Sequence, residues 1–76
     1  RKEDLPLLAN HFIKQICKDH GVTEKTIDDA AIKALQQFNW TGNIREFRNV
    51  MERLIIFSGE IIGASEIKKY ANPLSN

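Results

Sequence analysis

Apolar residues recur every three or four positions along most of this 76-residue chain, with polar and charged residues between them. In residues 4–20, DLPLLANHFIKQICKDH, the spacing places one apolar stripe along a single face. This pattern predicts an amphipathic helix over 4–20 with one buried side. The stripe consists of Leu5, Leu8, Phe12, Ile13 and Ile16.

Both ends of this first helix carry residues that suit a helix terminus. Asp4 is a natural N-cap, because its carboxylate can accept a hydrogen bond from a free N–H of the first turn. Pro6 fits that first turn, where its missing N–H costs nothing, and Gly21 fits a left-handed C-terminal stop. A helix that ends at His20 is therefore predicted.

Three further helices are predicted by the same spacing. They cover residues 28–38, about 43–57 and about 64–70, and the last one stops before Pro73. Asp28 is the expected cap of the first of these three. No stretch shows the strict alternation of a half-buried strand. The predicted fold class is all-α, a small four-helix bundle whose last helix is short.

The inward faces of the second and third helices define much of the remaining core. Because such short helices are marginal alone, packing between these faces must stabilise them. In the second helix the predicted stripe is Ala31, Leu35 and Phe38, with Ile32 beside it. In the third helix the predicted inward residues are Ile44, Phe47, Met51, Leu54 and Ile55.

Composition and charge narrow the range of functions. The net charge is only +1, with eleven basic residues against ten acidic ones, so the broad electropositive surface typical of duplex binding is missing. Hydrophobic residues make up 42% and charged residues 28%, which fits one globular domain. No apolar run reaches bilayer-spanning length and no signal-peptide pattern is present, so we expect a cytoplasmic protein without membrane contact.

Side chains that could carry catalysis are few and poorly arranged. Asp4 and Asp28 lie at helix starts, where carboxylates act as caps and dipole partners. Cys17 lies among apolar residues as a buried or half-buried thiol, and with His11 and His20 it shows no metal-binding spacing. Neither G-x-x-x-x-G-K-[ST] nor G-x-G-x-x-G occurs. We expect no catalysis by this chain alone and no metal site.

The stretch WTGNIREFRNVMERL, residues 40–54, holds the best candidate for binding. Gly42 and Asn43 lead the third helix, whose free N–H groups and dipole favour an anion. Arg45 in the first turn adds a fork of donors suited to phosphate, although the dipole slightly disfavours a cation there. The alternative is a solvated arginine that pairs with a nearby carboxylate. Of the other arginines, we expect surface pairs of Arg48 with Glu52, and of Arg53 with Asn49 or Glu46.

Residues 40–49 resemble the W-P-G-N-[VI]-R-E-L-x-N motif of bacterial enhancer-binding proteins, the NtrC-like AAA+ ATPases that activate sigma-54 RNA polymerase. The start of the chain is similar to their R-x-E-D-[IL]-P-x-L phrase, and IIGASEI is similar to their I-T-x-E-D-L element. In that family this region is the helical lid, which folds over nucleotide held by an α/β core. The resemblance implies that residues 1–76 are such a lid, cut from a longer protein.

The resemblance also implies roles for individual residues. The arginine of G-N-[VI]-R-E is the family's sensor II residue, which reaches the phosphates of bound ATP, and it matches Arg45. Gly42 and Asn43 would shape the turn that aims this helix. The residues implied to lie near the adenine are Ile44, Leu5 and Pro6.

Cofactor and partners follow from the same resemblance. The implied cofactor is ATP with Mg²⁺ in the full-length protein, with none bound tightly by this fragment. The implied partners are the α/β core and the neighbouring subunits of a hexameric or heptameric ring. Sigma-54 RNA polymerase and DNA would be contacted only through other parts of the parent protein. The implied function is nucleotide sensing, coupled to remodelling of that polymerase.

Two residues depart from the motif. Thr41 replaces a proline, which loosens the turn. Phe47 replaces a leucine, and the core must accommodate this larger phenylalanine.

Two other functions remain open. The chain could instead be the lid of another AAA+ machine, such as a protease unfoldase or a clamp loader. It could also be a small helical module that binds protein or DNA, although Glu46 and Glu52 interrupt the basic face.

Overall fold

The computed structural model describes residues 4–40 and 44–71. This part of the chain holds four helices and two very short strands, and it confirms the predicted all-α class with a short last helix. None of the described helices is long and apolar enough to cross a membrane. The elements in order are α1 (Leu5–His20), β1 (Thr26–Ile27), α2 (Asp29–Gln36), α3 (Ile44–Phe57), β2 (Ile61–Ile62) and α4 (Ala64–Tyr70).

The two strands form a small parallel sheet that the sequence did not predict. Thr26 lies opposite Ile61 and Ile27 lies opposite Ile62. The pairing continues past the strand, since the N–H of Asp28 donates to the Ile62 carbonyl at 3.1 Å. The expectation of no strand was wrong here because two residues are too few to display an alternating pattern.

Each strand leads directly into a helix, so α2 and α4 start beside one another and pack closely. Asp28 caps α2 as predicted, because its Oδ1 accepts the Ala31 N–H at 2.8 Å. At the start of α4, Glu66 Oε1 accepts the Gly63 N–H at 2.9 Å. A Cβ on Gly63 would lie 3.1 Å from that oxygen and 3.4 Å from Asp28 Oδ2, so the junction favours glycine.

The ends of α1 match the prediction at one terminus only. Gly21 ends the helix in the left-handed conformation, with φ of 69°, as predicted. Its N–H donates to the Lys18 carbonyl, and the next N–H donates to the Cys17 carbonyl. Pro6 lies in the first turn, as predicted, but Asp4 forms no side-chain cap, so that prediction was wrong. The backbone of Asp4 is already helical, whereas a capping side chain reaches the first-turn N–H groups from extended backbone.

One hydrophobic core joins the four helices and both strands. Most of the predicted stripes are confirmed, and the thiol of Cys17 is buried at 1% exposure. Leu8, Ile32 and Phe38 are only partly buried at its margin. The residues that α3 contributes are Phe47, Val50, Met51, Leu54 and Ile55.

The predicted inward position of Ile44 was wrong, because 54% of this residue is exposed. Ile44 is the first residue of α3 and lies on the same helical stripe as Phe47. The stripe runs beyond the edge of the core at this end of the helix. Val50, which the sequence interpretation left out, is fully buried instead.

Side chains from elsewhere bind the C-terminal carbonyls of three helices. Trp40 Nε1 donates to the Leu35 carbonyl at 2.8 Å, close to the end of α2 at Gln36, two residues earlier than predicted. Arg53 donates to the Tyr70 carbonyl at the end of α4, at 3.0 Å. Lys25 Nζ donates to two carbonyls at the end of α3. These contacts satisfy acceptors that a helix leaves without an intrahelical partner.

Two arginines of α3 therefore differ in role. Arg48 lies 3.6 Å from Glu52, as predicted, and Glu52 also lies 2.9 Å from His20 Nε2 on α1. For Arg53 the sequence predicted Asn49 or Glu46 as partner, whereas the structure shows the bond to Tyr70. This bond joins α3 to α4, and the spacing of residues along α3 alone could not predict it.

We expect the stability of the fold to fall at acid pH partly through Glu66. The backbone N–H of Gly63 and that of Glu66 itself lower the pKa of this carboxyl below 4.5. A lowered pKa contributes stability above the ordinary value, and this contribution is lost as pH falls through the lowered value. Urea unfolding from neutral pH down to about 3 should therefore show a steeper loss for the natural chain than for Glu66→Gln. Equal slopes would contradict this role.

Candidate functional site

The start of α3 carries the residue that the motif singles out. Arg45 is the second residue of the helix and is exposed, next to the half-exposed Ile44. Among the described residues no carboxylate forms an ion pair with Arg45. Its guanidinium is thus available to an anion from outside this part of the chain. The predicted turn residues Gly42 and Asn43, and the departure at Thr41, lie outside the described residues.

The first turn of α1 lies towards the same end of the molecule. The rings of Phe12 and Phe47 are 6.0 Å apart, and further along both helices His20 contacts Glu52. This order of contacts means that α1 and α3 run in the same direction. Their N-terminal turns therefore share one end of the bundle, where Arg45 also lies.

The residues of α1 predicted to lie near the adenine differ in exposure. Leu5 is only 5% exposed and belongs to the core, so it supports the first turn from inside. Pro6 is half-buried and keeps some surface. Leu7, which the sequence interpretation did not single out, is 75% exposed. The sequence could have predicted this exposure, because Leu7 lies off the apolar stripe of α1.

Trp40 fixes the approach of the chain to α3. Its indole N–H is bound to the end of α2, and its ring packs edge-on against Phe47 at 5.0 Å and 86°. The centres of the Phe38 and Trp40 rings are 5.7 Å apart. Phe47 is therefore accommodated by ring contacts and is 1% exposed, so the larger residue fits the core. This aromatic cluster ties the end of α2 to the first turn of α3.

In the described part of the chain, the position of Arg45 has two features that suit an anion. A guanidinium at a helix N-terminus combines fork-shaped donors with the positive end of the dipole. Within residues 4–40 and 44–71, no group of three or more His, Cys, Asp or Glu side chains could hold a metal ion.

Comparison with known proteins assigns the family. The AAA+ ATPase lid domain family matches residues 1–75. The chain belongs to this family, as the resemblance of its motifs indicated.

Relatives with similar sequences are bacterial regulators. A putative NtrX-like response regulator of Rickettsia typhi is 48% identical over 69 residues, which are 91% of this chain and 14% of that protein. The DNA-binding transcriptional regulator NtrC of Azospirillum brasilense is 41% identical over 90% of this chain and 14% of its own length. The regulatory protein AtoC of Escherichia coli is 40% identical over 88% of this chain and 15% of its own length. This chain thus spans a small part of each of them.

A solved structure supports the same fold. The crystal structure of NtrX from Brucella abortus in complex with ADP superposes with a TM-score of 0.73 at 35% sequence identity. The match covers 87% of this chain and 16% of that one. The four-helix architecture is therefore that of a lid in an NtrC-like regulator.

Replacing Trp40 by phenylalanine tests the link between α2 and α3. The variant keeps an aromatic ring beside Phe47 but loses the hydrogen bond to the Leu35 carbonyl. We expect the free energy of unfolding to fall by about 1 kcal/mol, as for the loss of one hydrogen bond. Trp40→Ala, which also loses the ring contacts, should cost about 3 kcal/mol or more in chemical denaturation. An unchanged midpoint for Trp40→Phe would show that the bond does not stabilise the fold.

Proposed function

We propose that this chain is the nucleotide-sensing lid of a sigma-54-dependent transcriptional activator, one subdomain of a longer cytoplasmic protein. The observation that carries the proposal is the position of Arg45. It stands exposed in the first turn of α3, without an ion pair to any described carboxylate, at the arginine of the family motif. Its proposed role is the sensor II contact with a phosphate of ATP.

The residues around Arg45 suit a bound nucleotide. A phosphate beside the guanidinium would also lie at the positive end of the α3 dipole. Its negative charge would offset the unfavourable interaction between that dipole and the cation of Arg45. Ile44 and the half-buried Pro6 would offer apolar surface for the adenine, and the neighbouring Leu5 lies in the core. The complex of the similar NtrX with ADP supports a nucleotide as the ligand.

In this proposal the remaining parts of the site come from outside the lid. The α/β core of the same module would hold the nucleotide, and ATP would supply the phosphate whose loss on hydrolysis changes the charge beside Arg45. Among the described residues no group of three or more His, Cys, Asp or Glu side chains could hold Mg²⁺. In this proposal the core and the phosphates would bind the metal. Gly42 and Asn43 would set the turn that aims α3.

A rigid helix suits this role. The inner face of α3 is packed into the core from Phe47 to Ile55, so we expect the helix and the lid to move as one body. Loss of the terminal phosphate removes the partner of Arg45, and the preferred orientation of the lid should then change. In a hexameric or heptameric ring this movement would reach neighbouring subunits and, through other parts of the parent protein, sigma-54 RNA polymerase on DNA.

The surface of α3 supports this function over direct DNA binding. Glu52 lies beside both Arg48 and His20, so the basic residues of this face are partly neutralised. A helix that reads DNA usually presents unpaired basic residues to the phosphates. The regulators to which the chain is similar also favour an activator over a protease unfoldase or clamp loader.

Arg45→Ala in the full ATPase chain tests the proposal, with Arg48→Ala as the matched control on the same helix. We expect Arg45→Ala to reduce ATP hydrolysis by about a hundredfold, as for the loss of other oriented charge stabilisers. Arg48→Ala removes only a surface pair and should leave turnover within about twofold. Hydrolysis that survives Arg45→Ala in a folded protein would disprove the sensor role.

The isolated chain provides a second control. One arginine and one helix end without a phosphate-binding loop should bind ATP no better than about millimolar and should not hydrolyse it. Isothermal titration with ATP and a phosphate-release assay measure both properties. Micromolar binding by the isolated chain would place the nucleotide site within the lid itself, against the proposal.

A further inference from the structure

The end of α3 opposite Arg45 is held by a lysine from another part of the chain. Lys25 lies in the connector between α1 and β1 and is half-buried. Its Nζ donates to the Ile55 carbonyl at 2.5 Å and to the Ser58 carbonyl at 2.6 Å. Both acceptors belong to the last turn of α3 or follow it directly. One ammonium thus binds two carbonyls at the negative end of the helix dipole.

α3 differs from the other described helices in the basic residues of its last turn. The last turn of α3 contains no basic residue. The other three described helices have basic residues of their own there, Lys18 and His20 in α1, Lys33 in α2, and Lys68 and Lys69 in α4. Lys25 therefore supplies to α3, through a tertiary contact, the charge that the others have in their own sequence.

The bonds of Lys25 are reinforced by the sheet next to it. Lys25 immediately precedes β1, and the Thr26 N–H donates to the Glu60 carbonyl at 3.0 Å. The connector is thereby joined to both sides of the turn that leaves α3. Since α3 has 14 residues, its first turn lies about 20 Å from this attachment. A small change of helix angle at this attachment would displace Arg45 at the other end of the helix.

We propose that Lys25 is a positioning residue for Arg45. By binding the C-terminal carbonyls of α3, it fixes the orientation of the helix whose other end presents the guanidinium to the phosphate. This inference rests on the proposed sensor role of Arg45. It assigns to the connector between α1 and β1 a part in ATP hydrolysis, although the connector lies at the opposite end of the helix.

The test is a double-mutant cycle of Lys25→Met and Arg45→Ala in the full ATPase chain. Methionine keeps the apolar stem but loses the charge and the donors. We expect Lys25→Met to lower kcat by about tenfold, because small misplacement of a reacting group is costly. Lys25→Arg, which keeps charge and donors, should recover most of the activity. In the Arg45→Ala background Lys25→Met should have no further effect, because the group that it positions is gone.

Two controls separate positioning from general stability. Lys33→Met removes an exposed lysine from the last turn of α2 and should leave kcat unchanged. Asp28→Ala removes the cap of α2 and weakens the lid without touching the end of α3, so any effect of it should be additive with Arg45→Ala. Circular dichroism checks that each variant is folded. If Lys25→Met unfolds the lid, the same cycle is run with the uncharged Lys25→Gln.

The outcomes distinguish this inference from the function on which it rests. An unchanged kcat for Lys25→Met, or a loss of the same factor with and without Arg45, would overturn the positioning role while the sensor role stands. An unchanged kcat for Arg45→Ala would instead overturn the sensor role, and the positioning role with it. A loss that disappears in the Arg45→Ala background supports both.

Discussion

The parallel pairing of Thr26–Ile27 with Ile61–Ile62 is the constraint on which the rest of the lid depends. It joins the connector after α1 to the turn after α3, so the chain between them must form a closed loop. Because each strand continues into a helix, the pairing also sets α2 and α4 side by side. The C-terminal end of α3, the helix that carries Arg45, is thereby held next to the connector.

Around this constraint, the helix ends are held by contacts from other elements. Trp40, Lys25 and Arg53 bind the last carbonyls of α2, α3 and α4 in turn. A domain of 76 residues buries a modest core, so polar contacts of this kind carry a larger share of its stability than in a large domain. These contacts also fix the orientation of each helix relative to its neighbours, which apolar packing alone specifies less well.

Local features of the fold could be predicted from the sequence, whereas its tertiary contacts could not. Helix periodicity, the stop at Gly21 and the cap at Asp28 depend on neighbouring residues, and the structure confirms them. The sheet and the bonds of Lys25 and Arg53 join residues far apart in sequence, which spacing cannot reveal. At the site, the motif identified the lid and singled out Arg45. The exposure of Ile44 depends on where the core ends, and so required the structure.

The sheet also has a consequence for how the chain folds. α1, α2 and α3 can each begin to form from local contacts as soon as their residues leave the ribosome. β1 has no partner until β2 has been synthesised, and α4 follows β2 directly. The lid therefore reaches its final form only once the segment through Ala71 has emerged. A chain interrupted before that point would present the apolar faces of three helices to solvent and become a substrate for chaperones.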